Sequence, residues 1–186
     1  MSESKPVHII AFVGLAGSGK SSVVDYLAQK GLPKVSFGGV IMQALDEANI
    51  EHTPENETMM RDKLRHEHGE DVVVRRVIEQ LHGLINAGQR TIIADGLGAW
   101  EAYRALKHEF PGETSFVAII TSRRIRHRRL ASRTVRPLTE QQTTDRDINE
   151  IERLNKGGVI AMADYFVLND GTIEDLYQAV DKLELI

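Results

Sequence analysis

The chain has 186 residues, a net charge of −4 and no cysteine, so it fits one domain and excludes a disulfide framework or a thiolate zinc site. Hydrophobic residues make up 41% and charged residues 27%, which excludes an extensively disordered chain. The negative charge disfavours general nucleic-acid binding, and since no stretch approaches the roughly 20 apolar residues of a membrane span, we expect a cytoplasmic protein without a secretory leader or membrane contact.

The first elements alternate between short apolar strands and a helix. Val7 to Val13 is an apolar run rich in β-branched residues and closed by Gly14, which predicts a buried strand. Apolar residues then recur at helical spacing from Lys20 until Gly31. Lys34 to Phe37 predicts a second short strand. The order is therefore strand, glycine-rich loop, helix and strand.

The segment 38–86 carries only helical patterns. One helix is opened by Thr53 as its cap and Pro54 at its first position, and another spans roughly Asp71 to Asn86. The third strand, Thr91 to Ala94, comes only after this segment. We therefore expect an inserted helical subdomain at 38–86.

The second half of the chain repeats the alternation of helix and strand. Its predicted elements are a helix at Ala99–Phe110, a strand at Ser115–Thr121, an arginine-rich helix, a polar stretch around Pro137, a helix from about Thr144, a strand at Tyr165–Leu168 and a helix at Ile173–Leu183. Parallel neighbours need crossover connections of helical length. The pattern therefore predicts a single α/β domain, with a five-stranded parallel sheet covered by helices on both faces.

The run GLAGSGKSS at 14–22 is the most specific motif in the chain. It satisfies G-x-x-x-x-G-K-[ST], and such a loop turns backbone N–H groups and a helix N-terminus toward a polyanion. Lys20 is expected to neutralise the β and γ phosphates, and the Ser21 hydroxyl to ligate Mg²⁺. A plain glycine turn would not explain the Lys-Ser pair. The residues predicted to contact ATP are Gly14, Ala16, Gly17, Ser18, Gly19, Lys20, Ser21 and Ser22.

Asp95 follows the third strand at the carboxyl edge of the sheet, where ligands of open α/β sheets bind. A carboxylate there holds magnesium or accepts the proton of an attacking hydroxyl, so Asp95 is a candidate catalytic residue and metal ligand. An aspartate that only caps the next helix is the alternative.

Seven arginines follow the fourth strand within fourteen residues. They are Arg123, Arg124, Arg126, Arg128, Arg129, Arg133 and Arg136. Their mutual repulsion is relieved by anions, and guanidinium groups stabilise a migrating phosphoryl group. An arginine lid over bound nucleotide is the favoured interpretation; a solvated helix and a patch for RNA or another acidic partner are the alternatives.

Several motifs together resemble the dephospho-CoA kinase and nucleoside monophosphate kinase superfamily, particularly its small dephospho-CoA-kinase-like or adenylate-kinase-like members. They are GLAGSGKS, Asp95-Gly96, IRHRRLASRTVR, Arg146-Asp147-x-x-Glu150 and VIAMADYFVLNDGTIEDL. The resemblance implies a P-loop NTPase fold and an ATP-dependent small-molecule kinase that uses Mg²⁺. In such a kinase the segment 38–86 would bind the phosphate acceptor, and a mobile lid near 122–145 would close over both ligands.

The resemblance also implies roles for individual residues. These are Arg129 and Arg133 as catalytic lid arginines, Arg126, Asn169 and Gly171 as nucleotide contacts, and Arg65, Gly96 and Arg136 as acceptor contacts. Two expected acceptor contacts are missing, because Gly38-Gly39-Val40-Ile41-Met42 lacks the family's Gly-Asp and following arginine, and Gly98 stands where relatives often carry arginine. A nucleotide-binding regulatory module and an RNA-associated ATPase therefore stay open beside the kinase, as do the acceptor, the choice of ATP or GTP and the oligomeric state.

Overall fold

A computed structural model gives the fold and describes residues 6–96 and 99–185. The strands in this part of the chain are β1 (His8–Val13), β2 (Lys34–Ser36), β3 (Thr91–Asp95), β4 (Thr114–Ile120) and β5 (Tyr165–Leu168). They form one five-stranded sheet in the order β2-β3-β1-β4-β5, and each neighbouring pair is parallel. The predicted α/β fold with a parallel sheet is confirmed.

The same described ranges contain nine helices. They are α1 (Lys20–Gln29), α2 (Phe37–Glu47), α3 (Pro54–His68), α4 (Val72–Asn86), α5 (Trp100–Glu109), α6 (Arg123–Ala131), α7 (Glu140–Glu152), α8 (Lys156–Ala161) and α9 (Ile173–Asp181). The start predicted for α7 near Thr144 is wrong, because Thr139 and Gln142 form a capping box that begins the helix at Glu140. The short helix α8 was not predicted.

Helices lie on both faces of the sheet. One face packs against α4, α5 and α8, and the other packs against α1 and α9. Strand β1 shows why its sequence is continuously apolar: Ile9 and Ala11 point into the first cluster, and Ile10 and Phe12 into the second. The sheet is therefore buried on both sides, and its edge at the carboxyl ends of the strands is left to form a site.

Helices α2, α3 and α4 also pack against one another in a smaller cluster, although α2 and α4 contribute Val40 and Val77 to the first face of the sheet. The buried members of the smaller cluster include Ile41, Leu45, Met60, Leu64 and Val72. These helices account for the segment 38–86, and their part in acceptor binding stays a prediction. In the described residues no helix is long and apolar enough to cross a membrane.

The strand order brings the candidate residues to one edge. Strand β1 lies at the centre of the sheet and leads into the glycine-rich loop. Its neighbour β3 ends at Asp95, and its other neighbour β4 leads into the arginine-rich α6. Since all the strands are parallel, the loop, Asp95 and the start of α6 share the carboxyl edge.

Candidate active site

The glycine-rich loop between β1 and α1 has a shape that only glycine permits at two positions. Gly14 has φ +143°, and a Cβ there would lie 2.5 Å from the carbonyl oxygen of Ile119. Gly19 has φ +100°, and its Cβ would lie 2.3 Å from Nδ2 of Asn169. The loop therefore packs tightly against the ends of β4 and β5 while it turns into the first residue of α1, Lys20.

Side chains from distant parts of the chain hold the carbonyl oxygens of this loop. Asn169 Nδ2 and Thr121 Oγ1 both donate to the carbonyl of Ser18, at 2.7 and 3.0 Å. Arg126 Nη1 donates to the carbonyl of Ala16 at 3.1 Å. Because carbonyl oxygens repel phosphate, fixing them by hydrogen bonds favours an anion-binding conformation of the loop.

Lys20 lies in the first turn of α1 and folds back over the loop. Its Nζ donates to the carbonyls of Gly14 at 2.6 Å and Leu15 at 3.2 Å. Burial lowers the pKa of Lys20 to about 8, and Lys156 acts in the same direction, whereas Glu150 opposes the shift. The ammonium group is thus charged at neutral pH and lies next to the bend where phosphates are expected.

Glu150 of α7 reaches the loop from the opposite side. Its Oε2 accepts a hydrogen bond from the backbone N–H of Ala16 at 3.1 Å, and Glu150 is only 5% exposed. Its Oε1 lies 3.2 Å from both Arg146 Nε and Lys156 Nζ. Burial alone would raise the pKa of Glu150, but Lys156 and Arg146 outweigh it and leave this pKa below its ordinary value. A charged carboxylate therefore contacts a P-loop amide.

Arg126 differs from the role predicted for it. The prediction placed it among the nucleotide contacts, but its guanidinium makes two bonds to the Asp147 carboxylate, at 2.7 and 2.8 Å, besides the bond to Ala16. Both side chains are nearly buried, and a buried guanidinium requires such a partner. Burial alone would raise the pKa of Asp147, but Arg126 and His127 together outweigh it and leave this pKa below its ordinary value. Arg126 thus braces the loop through α7.

Arg129, one turn further along α6, faces a pocket. The pocket has a volume of about 270 Å³ and is lined by Gly19, Ser22, Arg129, Asn169 and Ile173. Arg129 Nη2 lies 3.4 Å from Oδ1 of Asn169 and from the carbonyl of Gly171, while Nη1 is buried without a hydrogen-bond partner among the described residues. An unpartnered buried guanidinium N–H in a pocket beside the start of α1 fits a nucleotide.

Ser21 and Asp95 offer hard oxygen ligands at the same edge. Ser21 is exposed in the first turn of α1, and the half-buried Asp95 is near enough to Lys20 to influence its pKa. In residues 6–96 and 99–185 no group of three or more His, Cys, Asp or Glu could hold a metal. The donors present fit Mg²⁺, which is usually held by one or two protein oxygens together with substrate phosphates.

The residues predicted to contact the acceptor are spread over three elements. Arg65 of α3 pairs with Glu70 at 3.6 Å, and Arg136 pairs with Glu57 at the same distance. The Arg136 contact ties the loop after α6 to the first turns of α3. The structure does not join Arg65 and Arg136 through any contact among its described residues.

Three further positions complete the predicted set. Gly96 has φ +75° and lies next to the start of α2, where its Cβ would be 3.8 Å from the backbone nitrogen of Gly38. Arg133 is exposed and lies beyond the last residue of α6, so it does not share a helical face with Arg126 and Arg129. Gly98, where relatives often carry arginine, lies outside the described residues.

Sequence reasoning missed the role of the polar face of α7. Arg146, Asp147 and Glu150 belong to a motif of the resemblance that implies no function for them, and no motif includes Lys156. A signal was present, because Thr143, Asp147 and Glu150 recur at the spacing of one helical face, and all three are buried. Three polar residues at this spacing predict a helix whose polar face packs against charged or hydrogen-bonding groups of the protein.

Comparisons with known proteins show the family of this chain. A family model described as "AAA domain" matches residues 10–160. A UPF0200 protein of Thermococcus kodakarensis is 33% identical over 178 residues, which cover 94% of this chain and 95% of that protein. The chain belongs to the AAA-domain and UPF0200 families. A second UPF0200 protein, from Thermococcus onnurineus, is 32% identical with the same coverage.

Solved structures show that this UPF0200 chain has a P-loop kinase-like fold. TT1252 from Thermus thermophilus has a TM-score of 0.68 at 19% identity, and the match covers 97% of this chain and 97% of that chain. Shikimate kinase from Bacteroides thetaiotaomicron has a TM-score of 0.62 at 16% identity, over 96% of this chain and 99% of that one. Identities this low show the fold alone. The finer likeness to dephospho-CoA kinases stays a prediction.

Proposed function

We propose that the protein transfers the γ-phosphoryl group of Mg-ATP to a hydroxyl of a small acceptor, a nucleotide or a dephospho-CoA-like molecule. One observation carries the proposal: a tightly braced glycine loop, the buried ammonium of Lys20 and the unpartnered nitrogen of Arg129 lie around one end of α1. A nucleotide matches this combination, because its phosphates fit the positive loop and its nucleoside fits the adjacent pocket.

Each residue then has a role in binding or transfer. The loop 14–22 binds the phosphates through its backbone, and the pocket beside Asn169 and Gly171 takes the nucleoside. Lys20 stabilises charge on the migrating phosphoryl group, and Arg129, which lines the pocket, binds the nucleotide there. Asp95 orients the acceptor hydroxyl or accepts its proton. Mg²⁺, held by Ser21 and Asp95 together with the phosphates, would neutralise charge between them.

The acceptor side is proposed to involve the helices 38–86 and the loop after α6. Gly96 lies at the sheet edge near the start of α2, and Arg136 connects the loop after α6 to α3, which supports a role for both in acceptor binding. Arg65 and Arg133 complete the proposed set as further cationic contacts. The uncharged Gly38-Gly39 turn favours an acceptor that differs from those of relatives with Gly-Asp at this place.

A screen of candidate acceptors tests the proposal. ADP release is measured by a coupled assay with Mg-ATP and each nucleoside, nucleotide or dephospho-CoA, and ATP alone serves as the control. We expect one acceptor class to accelerate ADP release, and Lys20→Ala to abolish it because no other ammonium group lies within the loop. Lys30→Ala, an exposed lysine just beyond α1, should keep the activity. ATP binding without acceleration by any acceptor would favour the regulatory module instead.

The RNA-associated ATPase is favoured by a separate observation. Arg124 and Arg128 are exposed one helical turn apart on α6, and Arg133 is exposed beyond its end. If this surface binds RNA, affinity will fall steeply with salt and disappear when Arg124 and Arg128 are changed to glutamine. Salt-independent or absent RNA binding eliminates this candidate and leaves the kinase untouched.

A further inference from the structure

The positions of the pocket and the loop give the bound nucleotide a direction. The pocket lies at the Gly19 and Ser22 end of the loop, beside Ile173. The loop runs back from there to Gly14, past Ala16, and Lys20 folds over toward the carbonyls of Gly14 and Leu15. A nucleotide whose nucleoside occupies the pocket would therefore extend its phosphates toward Ala16. Its terminal phosphate would lie nearest to Ala16.

At the Ala16 end, a side chain of the protein already makes the contacts expected of a phosphate. One oxygen of Glu150 accepts from the Ala16 N–H, and the other lies within 3.2 Å of both Arg146 and Lys156. A backbone amide and two cations on one small anion form an anion subsite. Only 15% of the Lys156 side chain is exposed, so solvent screens its charge little.

The charged groups around this subsite favour an anion with more negative charge than the Glu150 carboxylate. Lys20, Arg146 and Lys156 are the cations, and Glu150 and Asp95 are the carboxylates that influence Lys20. Positive charge is therefore in excess. A terminal phosphate carries more negative charge and more acceptor oxygens than a carboxylate, so it would compete well for the same amide and cations.

We propose that Glu150 occupies the subsite of the terminal phosphate, and that a nucleoside triphosphate displaces it from the Ala16 amide and takes over Arg146 and Lys156. This inference rests on the proposed function, because it requires a nucleotide in the loop. A diphosphate ends one phosphate short and leaves Glu150 in place. Glu150 is then a specificity-determining residue, and Arg146 and Lys156 bind the phosphoryl group that is transferred.

The test compares a triphosphate with a diphosphate on matched variants. Mg-ADP and the non-hydrolysable β,γ-imido analogue of Mg-ATP are titrated calorimetrically into wild type and Glu150→Gln. Glutamine keeps the size and an acceptor oxygen but no longer competes as an anion. We expect the analogue to bind about tenfold tighter, equivalent to one charge-assisted hydrogen bond that need not be broken, and ADP to change less than twofold. Glu152→Gln, an exposed change of the same charge on α7, should alter neither affinity.

Lys156→Gln supplies a second measurement in case the first variant does not fold, which thermal unfolding reveals. It should weaken the analogue about tenfold and ADP less than twofold. Unchanged or weaker analogue binding in folded Glu150→Gln overturns the inference and makes Glu150 a fixed brace of the loop, as does equal weakening of both ligands in Lys156→Gln. Wild-type protein that binds neither ligand would instead overturn the proposed function.

Discussion

At the scale of single residues, Lys20 is buried, although phosphate binding requires its charged ammonium form. Its folded-state pKa of about 8 lies below the ordinary lysine value of 10.5, so the ammonium form is lost as pH rises through 8. Phosphate binding holds the proton on Lys20. We therefore expect ATP affinity to fall about twofold between pH 7 and 8 and by up to about tenfold per pH unit above that, as calorimetry at constant salt will show.

Lys20→Arg is the control for this pH dependence. Its guanidinium stays charged throughout the range, so the variant should bind ATP more weakly at pH 7 but show no decline between pH 8 and 9.5. A decline of equal steepness in the variant would assign the titration to another group. A flat profile in wild type would mean that the pKa of Lys20 is not depressed.

A second residue-scale prediction concerns two glycines with similar backbone angles. Gly19 and Gly31 have φ of +100° and +89°, but a Cβ at Gly19 would meet Asn169, whereas at Gly31 nothing lies within 4 Å. Gly31→Ala should cost about 1–2 kcal/mol of unfolding free energy and leave ATP binding unchanged. Gly19→Ala should also weaken ATP binding at least about tenfold, since a shifted Asn169 releases the Ser18 carbonyl. Equal ATP affinities in the two variants would contradict this reading of the loop.

At the scale of elements, α7 holds the loop partly through the buried ion pair of Asp147 with Arg126 and partly through Glu150. Asp147→Asn leaves the Arg126 guanidinium buried without a charged partner, and removing one member of such a pair typically costs about 3–5 kcal/mol. We expect the midpoint of urea unfolding to fall accordingly. Asp145→Asn, exposed on the same helix, should cost less than about 0.5 kcal/mol. If both variants lose similar stability, the Arg126 pair is not what anchors α7.

The same elements show which local signals the sequence contains. The strands and α1 were predictable because apolar runs, the glycine loop and helical spacing are all short-range patterns. The start of α7 is also encoded locally, in the Thr139 and Gln142 capping box, which lies within the polar stretch after Pro137. Helix α8 has only six residues with Gly157 and Gly158 in its first turn, so its stability comes from packing and not from propensity.

The candidate site was predictable only in part, for a reason of distance along the chain. Gly14 to Ser22 form a contiguous motif, whereas Ala16 and Glu150 are 134 residues apart and Asn169 and Ser18 are 151 apart. No pattern in a window of a few residues predicts such a contact. The roles of Arg126 and Glu150 therefore emerged only once the sheet had brought α6 and α7 to the loop.

At the scale of the whole molecule, these long-range contacts make the loop a junction between both halves of the chain. ATP bound there should stabilise the entire fold by about 2.7 kcal/mol at one hundred times its Kd. For a chain of this length that corresponds to a rise in Tm of about 5–10 °C. Circular dichroism follows all the helices, and the fluorescence of the single tryptophan, Trp100, follows the face packed by α4, α5 and α8.

Because one sheet is buried between both layers, we expect the two probes to report the same Tm with and without ATP, and Lys20→Ala to show no rise with either. A rise seen by circular dichroism but not by Trp100 would mean that the two faces unfold separately. That outcome would contradict a cooperative link between the two faces through β1. This strand buries Ile9 and Ala11 on one face and Ile10 and Phe12 on the other. A shared transition would instead follow from the central position of β1, since the strand that carries the loop is also the strand that both layers bury.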